Sequence, residues 1–98
     1  MKISDYLDKT LKVVVDLTGI EAEDVMGRRR TSELVDARWM VVKLLREAGY
    51  YPSQIAPVMN MTIRQVQSIV AAFDIRLRFA DAMMRINYET ASKYLRSN

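Results

Sequence analysis

Ninety-eight residues, half of them hydrophobic and 28% charged, suffice for one small folded domain and argue against disorder. The chain has no histidine and no cysteine, which excludes disulfides, Cys–His nucleophilic catalysis, imidazole acid–base chemistry and zinc sites built on those ligands. Its net charge of +3 is too small by itself to announce a nucleic-acid partner, so where the charges fall matters more than their sum.

Other classes fall away on similar grounds. No apolar run is long enough to span a bilayer, the N-terminus lacks a signal-peptide pattern, and the absence of cysteine fits a cytoplasmic site. Gly19, Gly27 and Gly49 are isolated from one another, so no glycine-rich phosphate loop is present. The carboxylates are scattered over helical positions, where they solvate faces rather than pair for catalysis. The expectation is a binding protein and not an enzyme, with no cofactor, no metal, no membrane and no small-molecule substrate.

In chain order, residues 4–18 read as a first helix capped by Ser4, with Leu7, Leu11, Val14 and Thr18 on one side and Gly19 as its stop. Residues 21–26 make a short helical turn. The segment GRRRTS follows, a polar loop with three consecutive arginines, Arg28, Arg29 and Arg30. Such a run suits phosphate binding or entry into a narrow minor groove, where the potential is most negative.

The longest helix should open near Thr31 or Ser32 and end at Gly49. Leu34, Ala37, Val41, Leu44, Leu45 and Ala48 form one broad apolar stripe along it, and Val35, Trp39 and Val42 form a second. A helix apolar on two sides is central, and the first helix is the expected cover for the second stripe. A monomer is therefore favoured, with a homodimer through Trp39 as the rival. Arg38, on the same helix, extends the positive surface of the loop.

The stretch from Pro52 to Phe73, PSQIAPVMNMTIRQVQSIVAAF, reads as two helices around a tight turn. Ser53 caps the first, and Pro57 should keep it short or kinked. Asn60 can take the left-handed conformation that the turn needs, and Thr62 with Gln65 makes a capping box for the second helix. Ile55, Ala56, Met59, Met61, Val66 and Ile69 fall where a helix-turn-helix buries its apolar residues. On a helical wheel Ile63, Val66, Ile69, Val70 and Phe73 form the core side of the second helix. Arg64, Gln67, Ser68 and Ala71 form the exposed side, with Gln65 at its flank. Arginine can bond guanine, glutamine can bond adenine and serine can bond either, so that side is suited to reading base edges in the major groove.

Residues 74–98 should continue helical, with a cap at Asn87 opening a last short helix. Met83, Ile86, Tyr88, Tyr94 and Leu95 would cover the back of the domain. The reading is one all-α bundle of about five to six helices: an N-terminal helix over 1–18, a helix-turn-helix core over 19–73 and a helical extension over 74–98.

The order of parts from Thr18 to Phe73 resembles the C-terminal DNA-binding domain of the bacterial replication initiator DnaA, a relative of the Trp repressor fold. TGIEAEDVMGRRRTS is similar to that family's short helix and basic loop, and ELVDARWMVVKLLREAGYYPSQIAPVM to its central helix running into the helix-turn-helix. TIRQVQSIVAAF stands at the recognition-helix position. The resemblance implies minor-groove contact by Arg28, Arg29, Arg30 and Arg38, and major-groove contact by Thr62, Ile63, Arg64 and Gln65. In place of the family's Gly-Gly-Arg-Asp-His-Thr-Thr string the chain has MNMTIRQ, Met59 to Gln65, so the implication covers architecture and double-stranded DNA binding but not the initiator's own target sequence. The expected role is sequence-selective regulation of replication or transcription. The alternative is a helical protein–protein interaction module that has lost DNA binding, favoured by the low net charge, Asp36 and the second stripe around Trp39.

Overall fold

The computed structural model describes residues 1–97, which form six α-helices and no strand among them. They are α1 (Ile3–Thr18), α2 (Ala22–Met26), α3 (Ser32–Glu47), α4 (Pro52–Met59), α5 (Ile63–Phe79) and α6 (Ala82–Ser97). The all-α architecture thus follows the sequence pattern, while several boundaries differ from it.

Helix α3 is the centre of the fold and packs against every other helix. Thr31 caps it by accepting the Leu34 N–H at 3.4 Å. Leu34, Ala37, Met40, Val41, Val42, Leu44 and Leu45 are all buried along its length. All of these but Leu34 join Val14 of α1, Val25 of α2, Ile55 of α4, Val66 and Phe73 of α5, and Met84 and Ala91 of α6 in one core. Burial of a Leu- or Phe-sized side chain contributes about 1.5–3 kcal/mol, so this shared centre holds the short helices α2 and α4 in place.

The N-terminal helix starts one residue earlier than expected. Lys2 occupies the N-cap position, and Ser4 lies inside the first turn without capping it. Gly19 ends the helix in the left-handed conformation, φ 74°, donating its N–H to Val15. Leu7, Thr10 and Val14 are the buried residues, and the Thr10 hydroxyl is satisfied by donating to the Tyr6 carbonyl at 2.8 Å.

The second apolar stripe of α3 divides. Val42 is fully buried, but Val35 and Trp39 are only partly so and face α5. Arg76 of α5 covers Trp39 by placing its guanidinium 4.9 Å from the indole centroid and its Nε 2.6 Å from Asp36 Oδ1. The expected cover from α1 does not reach Trp39 because α5 runs six residues past Phe73, to Phe79, and lies there instead. The boundary expected between residues 73 and 74 therefore falls within a continuous helix.

The C-terminal helix also differs. It opens at Ala82, where Asp81 Oδ1 accepts the Met84 N–H at 2.9 Å, and Asn87 is interior. Met84, Ala91, Ser92 and Leu95 are its buried residues, whereas Met83, Ile86 and Tyr94 are exposed. Docking rests on Phe73 against Tyr88, with ring centroids 4.9 Å apart, and on Glu47. That carboxylate accepts hydrogen bonds from Tyr88 Oη at 2.5 Å and Ser92 Oγ at 3.2 Å.

Candidate nucleic-acid interface

The unit from α4 to α5 is built by local chemistry. Helix α4 starts with Pro52 in its first turn, where a missing N–H costs nothing. Its exposed N-terminal donor on Tyr51 bonds Gln54 Oε1 at 2.8 Å, so Ser53 lies within the helix and is not the cap. The helix is only eight residues long and contains Pro57. Asn60 closes it at φ 56°, ψ 45°, in the left-handed region expected of it. The chain then re-enters a helix within two residues. Thr62 Oγ1 accepts the Gln65 N–H at 3.1 Å while Gln65 Oε1 accepts the Thr62 N–H at 2.8 Å. This reciprocal pair is the capping box read from the sequence.

Capping limits what Thr62 and Gln65 can do beyond it. The Thr62 hydroxyl oxygen and Gln65 Oε1 are committed to backbone donors, and the Gln65 amide –NH2 is the group left over. Arg64, Gln67 and Ser68 are exposed and project from the first turns of α5 with no such commitment. Ile63, expected on the core side, is 47% exposed beside Arg64. It lies in the first turn of α5, before the helix settles against α3, so the periodicity that buries Val66 and Ile69 does not bury it.

The basic loop is fixed by Arg38. Its Nε donates to the Val25 carbonyl at 2.8 Å, and its Nη2 donates to the carbonyls of Asp24 and Arg29 at 3.3 and 3.2 Å. Asp24 and Val25 are in the last turn of α2, where the Asp24 carbonyl also accepts the Gly27 N–H at 3.2 Å, and a cation at this end complements the helix dipole. Burial, and secondarily the charge of Arg30, lower the Arg38 proton affinity from its ordinary value without threatening its charge. Arg38 is thus a clamp on the loop and not the free extension of positive surface expected of it.

The three loop arginines separate in role. Arg29 pairs with Asp24 through Nη2 and Oδ1 at 3.1 Å. Arg28 and Arg30 instead line a groove whose other wall is α5. Trp39, Val35 and Arg38 of α3 form its floor, Asn60 and Met61 of the turn close one end, and Gln65 and Ser68 face the arginines. Five of the residues singled out in the sequence, Arg28, Arg30, Arg38, Gln65 and Ser68, therefore border one groove. Arg64 and Gln67 lie outside it, on the outward side of α5.

Asp36 is absent from this groove and has its charge offset by Arg76 on the other side of Trp39. Sequence reasoning missed that pair, and also missed Arg38 as a clamp, because each joins residues that only the tertiary fold brings together. No cluster of three metal-ligating side chains occurs among the described residues, and no helix among them is long and apolar enough to cross a membrane. No family model, curated protein or solved structure matches the chain.

Proposed function

We propose that this chain binds double-stranded DNA with sequence selectivity, as a regulator of replication or transcription. In this reading α4, the turn at Asn60 and α5 act as a helix-turn-helix. The first turns of α5 enter the major groove, where Arg64, Gln67 and Ser68 reach base edges. Arg28 and Arg30 contact the flanking phosphates or the adjacent minor groove. Arg38 acts behind the loop, and the Gln65 amide –NH2 adds a donor at the edge of the helix.

One observation carries the reading. Arg28 and Arg30 border the same groove as Gln65 and Ser68, although some 35 residues separate the two sets. A loop cation and a polar helix start set side by side can engage a backbone and a base edge together. The Asp36 charge, which favoured a protein-interaction module, is offset by Arg76 and lies away from this surface.

Binding to mixed duplex fragments at rising salt tests the proposal. Affinity should be measurable at low salt and fall steeply as salt rises, because binding to phosphates releases counterions. Selection from random duplexes should then enrich a definite site. No affinity at low salt would overturn the reading.

A further inference from the structure

The outward side of α5 changes character along its length. Its first turns present Arg64, Gln67 and Ser68, whereas beyond Ala71 it presents Ile75 and Phe79, 58% and 83% exposed. Met83, just past the turn into α6, is 59% exposed. Together these three side chains leave roughly 300–400 Å² of apolar surface in water, comparable to the largest patch on a typical monomer. Beside them lies a hollow between α3 and α5, lined by Trp39, Ala72 and Ala80.

The charges next to this strip say what covers it. Asp74 and Arg78 are exposed one turn apart, and neither makes an ion pair or hydrogen bond among the described residues. Ile75 and Phe79 are also one turn apart, on the adjoining edge of the helix. Two α5 helices laid antiparallel and centred near residue 76 put Asp74 of one copy across from Arg78 of the other, twice by symmetry. The midpoint of Ile75 and Phe79 is residue 77, one position from that centre, so the same alignment brings the two apolar side chains of each copy alongside those of the other, with Ala71 small enough to let the helices approach. A parallel alignment would set like charges against each other. The strip is self-complementary in charge and apolar beside the charges, as a two-fold interface requires.

We infer that the C-terminal half of α5 is a self-association face, which pairs antiparallel with the same face of a second copy of this chain. The apolar area is small for a permanent dimer, so the association is a weak one, populated at concentrations of roughly tens to hundreds of micromolar. This face shares only Ala71 with the base-reading side of α5 and uses none of Arg28, Arg30, Arg64, Gln67 and Ser68, so its test is independent of the DNA-binding reading.

Sedimentation equilibrium of the whole chain without DNA, from about 10 µM to about 1 mM, tests the inference. The expected mass rises from one chain and levels at two. Phe79→Glu should hold it at one. Asp74→Arg and Arg78→Asp should each weaken association by roughly five-fold, and the two together should restore it, because the reversed charges again face their opposites. All three positions are exposed, so thermal melts of the variants should match the wild type and show that each is folded. A monomer at every concentration would overturn the inference. So would association that continues beyond two copies, that survives Phe79→Glu, or that is not restored in the double variant.

Discussion

Arg38 donates its Nε–H to the carbonyl of Val25 at 2.8 Å, across thirteen residues of chain, and so ties the basic loop to the central helix. With its bonds to Asp24 and Arg29 it spends much of its donor capacity on backbone oxygens at the end of α2 and in the loop. Together with the Arg29–Asp24 pair, this side chain fixes the loop arginines relative to α5.

Arg38→Ala should therefore cost about 1–3 kcal/mol of stability, since it leaves carbonyls without their donor. It should also weaken binding to all duplexes alike, by loosening the loop. Arg38→Lys should recover only part of either loss, because an ammonium cannot reproduce the planar fork. Chemical denaturation and duplex titration check both effects. Full recovery by lysine would show that charge alone matters at this position.

Arg28, Arg30 and Arg29 should separate by salt dependence. Alanine at both Arg28 and Arg30 should reduce the slope of log affinity against log salt by about 2. Arg29→Ala should change it less, because Asp24 already faces that guanidinium at 3.1 Å. Exposed pairs of this kind contribute little to stability, so all these variants should melt near the wild-type temperature.

Arg64 should discriminate between sequences. Arg64→Ala should cost about 1–3 kcal/mol on the preferred duplex and much less on random DNA. Competition titrations with the two duplexes measure the difference, and equal losses on both would make Arg64 a phosphate contact.

Trp39 tests the packing of α5 on α3. It is partly buried, with the Arg76 guanidinium 4.9 Å from its indole centroid, so Trp39→Ala should cost about 2–3 kcal/mol. Asp36→Asn should cost less, as it weakens only the partly exposed ion pair with Arg76. Urea denaturation followed by circular dichroism reads both. A neutral Trp39→Ala would show that this contact does not hold α5.

Tyr88 makes the docking of α6 sensitive to alkali. Its burial, and then its bond to Glu47, raise its proton affinity well above the ordinary tyrosine range. The folded state thus keeps a proton that the unfolded chain releases near pH 10. The stabilisation is complete below that pH and is lost as pH rises above it. Tyr88→Phe should be less stable at neutral pH and lose less on going to pH 11, as thermal melts across that range would show.

What could be read from the sequence was what local rules decide. The left-handed Asn60, the Thr62–Gln65 capping box and the Gly19 stop each depend on a few neighbouring residues, and each is found in the structure. The apolar stripe of α3 was legible from Leu34 to Leu45 because a 3.6-residue period over sixteen residues is hard to mistake, but Ala48, read as its last member, is the exposed residue that ends the helix. Ser4, Ser53 and Asn87 misled as caps because a residue suited to capping fits inside a helix when a neighbour begins it first. The run of α5 past Phe73 has no local mark, for no glycine or proline follows before Ala80. Arg38 and Arg76 took their roles from partners 13 and 40 residues away, beyond the reach of any periodicity.

In the proposed function the basic loop and the start of α5 form one DNA-binding surface. Amide chemical-shift mapping during titration with the selected duplex tests it most directly. The largest changes should fall together on residues 28–30 and 62–68 and saturate at the same DNA concentration, while the Glu47–Tyr88–Ser92 region stays unchanged. Changes centred on that distant region, or on the loop without α5, would contradict it.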